Sequence, residues 1–224
     1  MLGRGSAVTD PHTTETVREP PKESFAGDRF TGLCMIAAPL LLTTGAALLV
    51  GIYEGSANDQ LEAFAANQAR ATAAVNVAIA GVVLAAFAVA GLAASVARHR
   101  PGLGHAGGTL TLIGLFGPAF FLGIDHVGVQ LADLTDRAGA ATVFENAVTT
   151  PNILNLAGPA LIVGLVLLAI GTAKTGVFPR PRSWALGTAA LAPIGLISGF
   201  VIISVVAWLA FAVALVPHGF RLLR

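Results

Sequence analysis

Residues 71–97 read ATAAVNVAIAGVVLAAFAVAGLAASVA and contain no Asp, Glu, Lys or Arg. Coiled as a helix that rises 1.5 Å per residue, the stretch is about 40 Å long, more than the roughly 30 Å of a hydrocarbon core. It stops at Arg98-His99-Arg100-Pro101, where charge returns and proline forbids continuation. Comparable uncharged runs follow one another from Phe30 to Phe220. The implied fold is all-α: a polytopic transmembrane helix bundle.

Composition agrees. The chain has 224 residues, 55% hydrophobic and only 11% charged, against about 25% charged in an average soluble domain. Its 13 Lys+Arg and 12 Asp+Glu leave a net charge of +1, so there is no basic face of the kind that gathers nucleic acid. Nine of the charges lie within residues 1–29, a Thr-, Pro- and Glu-rich stretch read as a disordered tail. Residues 30–220 form the transmembrane domain. The first apolar stretch is too long for the core of a cleavable signal. The single cysteine, Cys34, excludes an intramolecular disulfide and reads as a small apolar residue within a helix.

The expected spans are Phe30–Tyr53, Ala71–Ala97, Thr109–Ala132 (after a Gly-rich loop through Gly108) and Asn152–Ala173. The last apolar segment, Trp184–Pro217, is too long for one straight crossing. A hairpin near Ser198-Gly199 makes six spans; one long tilted helix makes five. Lys and Arg are richer in alternate connections, which places the tail and the C-terminus in the cytoplasm and favours the even number. Two amphipathic helices are expected to lie at the outer interface. In Glu54–Arg70, Ser56 and Asp59 have capping-box spacing, and Leu61, Phe64 and Ala65 share a face. The second sets Ala140, Val143, Phe144, Ala147 and Val148 on one stripe and stops at Pro151. Gly51-Ile52-Tyr53-Glu54 and Gly123-Ile124-Asp125-His126 end corresponding spans, a weak internal echo.

With this topology most polar side chains collect on the outer side. An ionisable residue at membrane depth is a functional candidate, which singles out Asp125 and His126. Helical spacing puts His126, Gln130 and Asp133 on one stripe and Asp125 with Val129 and Ala132 on another, about 100° away. A carboxylic acid kept protonated in a dry pocket can act as a general acid, and a histidine can carry protons. The candidate catalytic residues are therefore Asp125, His126 and Glu54, with Gln130, Asn76 and Asn155 as ligand-binding candidates. No cofactor is expected. Histidines at matched depth for a haem are absent, His99 and His105 have no companions for a metal, and Gly171-Thr172-Ala173-Lys174-Thr175 lacks the spacing of a phosphate loop.

Gly107-Gly108 opening a span, the Gly-Ile-Asp-His step, Asp136-Arg137, Asn152-Ile153-Leu154-Asn155-Leu156 and Phe178-Pro179-Arg180-Pro181-Arg182-Ser183-Trp184 resemble a group of small actinobacterial multi-pass proteins of unknown function. That resemblance covers less than half of the chain and implies location and topology, not activity. The leading expectation is a plasma-membrane module that binds an isoprenoid-like or amphipathic small molecule, or a membrane partner or second copy, in an outward polar cleft. The alternative is a membrane-embedded terpene cyclase in which Asp125 or Glu54 protonates an alkene or epoxide.

Overall fold

The computed structural model describes residues 25–53, 55–134, 136–149, 156–198 and 200–224, which are helical with no strand among them. The elements are α1 (Phe25–Leu48), α2 (Ala57–Ala66), α3 (Gln68–Ala97), α4 (Pro101–Leu131), α5 (Arg137–Thr149), α6 (Ala157–Thr175), α7 (Arg180–Thr188), a 3-10 turn (Ala189–Leu191), α8 (Ala192–Ile197) and α9 (Val201–Leu222). Five of them, α1, α3, α4, α6 and α9, are long and apolar enough to cross a membrane. The protein is thus an integral, multi-pass membrane protein whose α1 begins at Phe25. The expected tail otherwise lies outside the described residues.

Lipid tails are as apolar as leucine, so these helices gain little by exchanging lipid for protein unless their backbones come close. Glycine allows that approach. A Cβ on Gly45 would sit 2.8 Å from the Cβ of Ala78, and one on Gly81 2.9 Å from the backbone nitrogen of Leu42, so α1 and α3 run antiparallel. Likewise Gly107 abuts Leu168, Gly114 abuts Leu161 and Gly117 abuts Ala157, which makes α4 and α6 antiparallel. Gly104 and Gly108 face Ala97 and Ala93 of α3. The expectation of a Gly-rich loop through Gly108 is therefore corrected. Pro101 takes the first helical position, where its missing N–H costs nothing, and Gly104, Gly107 and Gly108 after it are helical contacts with α3 and α6.

The last apolar segment takes the hairpin form. Arg182 reaches the carbonyl of Ala214 at 2.9 Å, and the Ser204 hydroxyl donates to the carbonyl of Ala192 at 2.7 Å. Those pairings set α7–α8 antiparallel to α9. Pro193 has no N–H to offer the carbonyl of Ala189, and the 3-10 turn separates α7 from α8 at that point. The composite segment spans residues 180–197, about 27 Å at helical rise.

Gly32 at the start of α1 meets Gly219 at the end of α9; a Cβ on Gly32 would lie 2.8 Å from the Gly219 carbonyl oxygen. Both chain ends of the bundle therefore share one face. Among the described residues five helices are long and apolar enough to cross, and the shorter α7–α8 segment folds back along α9. Arg29, Arg98, Arg100, Lys174, Arg180, Arg182, Arg221 and Arg224 lie towards this end of the helices, whereas α2 and α5 lie at the other.

Gly114→Leu forces α6 away from α4 and is expected to lower stability by about 2–3 kcal/mol. A Cβ at Gly123 meets nothing within 4 Å, so Gly123→Ala should be neutral or stabilising by up to about 1 kcal/mol. Unfolding of the two variants in one detergent checks this; equal effects would contradict the packing described.

Candidate functional site

Two turns of positive φ, at Gly51 (79°) and Gly55 (86°), carry the chain from α1 into α2 and set Tyr53 between them. Those conformations suit glycine because they crowd a Cβ. The capping box then starts α2 as the spacing predicted: the backbone N–H and the hydroxyl of Ser56 each donate to Asp59 Oδ2 at 2.7 Å, and the Asp59 N–H points back to Ser56 Oγ at 3.4 Å. These bonds hold the Asp59 carboxyl below the usual carboxylate range.

Amphipathic α2 lays Leu61 and Phe64 onto the bundle. Helix α5 adds Ala140, Ala141 and Phe144. The expected stripe on α5 needs correction here. Val143 is 58% exposed, and Ala147 and Val148 are exposed as well. Among the described side chains of this helix the buried ones, Ala140, Ala141 and Phe144, fall on one narrow edge, and at an interface the lipid can take the rest of its apolar surface. The two helices meet over α4. The Phe64 and Phe144 rings stand edge to face at 6.1 Å, and Tyr53 meets Phe64 in the same way at 6.2 Å. Gly128 leaves room beneath them: a Cβ there would come 2.6 Å from the Phe144 ring and 3.1 Å from the Phe64 ring.

Under this aromatic cap lies Asp125, 6% exposed, whose carboxyl accepts a hydrogen bond from the Tyr53 hydroxyl. Burial, and next the adjacent carboxyl, push the Tyr53 hydroxyl well above the ordinary tyrosine range, so it keeps its proton and stays the donor. The cap is tied down at its margins. Gln68 donates to Asp133 at 2.6 Å and joins the start of α3 to the loop after α4, while Arg70 donates to the Val50 carbonyl at 2.7 Å. Chemically, the site presents one carboxyl and one phenol to an apolar, aromatic surround. It can bind a polar group on an otherwise apolar molecule, or pass a proton. Among the described residues no three His, Cys, Asp or Glu come together as a metal would require.

The other candidates are dispersed. The two stripes are separated as the helical spacing implies: Asp125, Val129 and Ala132 are buried whereas His126, Gln130 and Asp133 are exposed. His126 and Gln130 thus face away from the carboxyl. Asn76 is exposed on the outer surface of α3, and Glu54 and Asn155 lie outside the described residues. The sequence reading missed Tyr53 as the partner, although two signals pointed to it: it is the sole tyrosine, and it stands in Gly51-Ile52-Tyr53 where the echo in Gly123-Ile124-Asp125 carries the acid.

With one tyrosine in the chain, ultraviolet titration of tyrosinate reports Tyr53 alone. Its midpoint should lie above the ordinary value of about 10 and move part of the way back in Asp125→Asn. A folded-state value above the unfolded one means that this group's contribution to stability is complete below about pH 10 and is lost as pH rises further. An ordinary midpoint in the folded protein contradicts the burial. Phe64→Ala should cost about 3–5 kcal/mol, and Val143→Ala no more than about 0.5 kcal/mol, measured by unfolding in detergent; similar losses would show that α2 does not cap the bundle.

Comparison with protein-family models, curated proteins and solved structures finds no match to this chain.

Proposed function

We propose that the chain is a binding module of a bacterial cytoplasmic membrane, of the small actinobacterial multi-pass kind that its sequence resembles. It holds an isoprenoid-like or amphipathic small molecule between the α2–α5 cap and the bundle. The observation that carries this reading is the buried Tyr53–Asp125 hydrogen bond, whose phenol ring packs on Phe64 and through it on Phe144. Burying a carboxyl costs free energy that an apolar residue in its place would not. A polar anchor for an otherwise apolar guest gives it a use. Because the cap is made of two helices shorter than the spans, a guest has a route in from the interface without parting the long helices. The concentration of Arg and Lys at the end shared by α1 and α9 supports an orientation with that end, and the N-terminus, in the cytoplasm.

A second reading has one observation in its favour. The acid is hydrogen-bonded to Tyr53, whose ring packs on Phe64, and aromatic rings stabilise cations of the sort a terpene cyclase forms when a carboxylic acid protonates an alkene or epoxide. One assay separates the two. Vesicles containing the protein are incubated with a fluorescent polyprenyl alcohol and, separately, with a polyprenyl epoxide. The module retains the alcohol, Asp125→Asn weakens retention about tenfold or more, and no product appears. A cyclised product that Asp125→Asn abolishes would instead establish the enzyme. Retention unchanged in Asp125→Asn, with no product, contradicts both.

Orientation is tested with Cys34→Ser as background. Ser56→Cys should react with a membrane-impermeant maleimide in intact cells and Arg180→Cys only after lysis; the reverse pattern inverts the topology.

A further inference from the structure

The opposite, basic end of the bundle holds polar groups whose requirements the protein itself leaves unmet. Arg182, in the first turn of α7, donates through Nη2 to the Ala214 carbonyl of α9 and stacks its guanidinium on the buried Phe178, 4.9 Å from the ring centroid. The His218 imidazole packs edge to face against the same Phe178 ring at 5.3 Å. Both Arg182 Nε and His218 Nδ1 are buried without a hydrogen-bond partner. Arg182 and Arg221 each bear electrostatically on His218, and Arg221 on Arg182, so the field around these unmet groups is positive. Such an arrangement costs free energy unless an anion completes it.

A second, separate feature lies on the same α7–α9 seam. Thr188, Leu191, Ile202, Ile203, Val206 and Ala207 line an open groove of about 180 Å³ with no polar surface. From Arg182 to Thr188 and from Ala214 to Val206 the helical rise is about 9 Å and 12 Å, so the groove lies deeper in the membrane than the cations. Trp184, 77% exposed, and Phe220, 53% exposed, flank the cation level. Exposed aromatic rings are typical of the headgroup boundary.

We propose that Arg182, His218 and Arg221 bind the phosphate of an anionic phospholipid, with one acyl chain seated in the Thr188–Val206 groove. The phosphate oxygens accept from the guanidinium and imidazole groups, and the chain covers apolar surface at the kinked segment. A soluble phosphate has nothing to place in the groove. The site is independent of the Tyr53–Asp125 site, which lies at the other end of the bundle.

The test uses the full chain in a non-ionic detergent, with thermal unfolding followed as phosphatidylglycerol, phosphatidylcholine or glycerol phosphate is added. Phosphatidylglycerol should raise the unfolding temperature, and the other two should not. Arg221→Gln, at an exposed position outside the packing, and Arg182→Lys, which keeps the charge but loses the planar fork, should each weaken the phosphatidylglycerol effect about tenfold. Arg180→Gln, which removes a neighbouring exposed charge, should leave it intact. If Arg182→Lys fails to fold, Arg221→Gln against Arg180→Gln decides the matter. An equal response to phosphatidylcholine, or an equal loss in Arg180→Gln, overturns the proposal. An equal response to glycerol phosphate overturns the lipid assignment in favour of a soluble phosphate ligand.

Discussion

Backbone-to-backbone approach at glycine is the constraint on which this bundle rests. In water a helix with a leucine face is driven onto its neighbour; in lipid that face is already satisfied, and what remains is contact density and hydrogen bonding. The seams follow from this. Glycines at 45, 81, 107, 114 and 164 sit against the partner helix, while large residues such as Phe87, Phe116, Val163 and Val213 face outward. Exposed apolar side chains, a liability in a soluble protein, here face lipid, their proper solvent.

The cap obeys different rules. Helices α2 and α5 are too short to cross, and their buried residues form a distinct cluster with Leu49, Ile52, Ile124, Val129 and Val201. At that depth water is near enough for the hydrophobic effect to operate, so the cap resembles a small soluble core placed over the ends of α1, α4 and α9. The two regimes meet at Gly128, which serves as a helix residue of α4 and as the floor for two phenylalanine rings. Asp125 lies one turn from this junction, sealed from lipid by the bundle and from water by the cap.

Charge spacing and proline made the multi-pass architecture legible: uncharged runs marked the long helices, the Ser56/Asp59 pair marked the start of α2, and the excessive length of Trp184–Pro217 called for a hairpin. The Gly102–Gly108 stretch was misread because glycine breaks helices in water but joins them in lipid, and only a neighbouring helix distinguishes the two. For the site, helix period separated Asp125 from His126. What one chain's periodicity does not reveal is which distant loop closes over a buried group. The Tyr53 partnership depends on two glycine turns whose conformation becomes visible only in three dimensions. The α5 stripe failed for a related reason, since apolar residues at an interface have both protein and lipid to face.

The phenol of Tyr53 and the carboxyl of Asp125 are joined beneath the cap. Solid-state nuclear magnetic resonance of bilayer-reconstituted protein, with carbon-13 in tyrosine and aspartate only, measures this directly. The single tyrosine makes its ring signal unambiguous, and Asp125→Asn identifies the aspartate. A through-space cross-peak between the tyrosine Cζ and the Asp125 carboxyl carbon is the predicted result. A tyrosine ring that shows contact with water and none with any aspartate would contradict it.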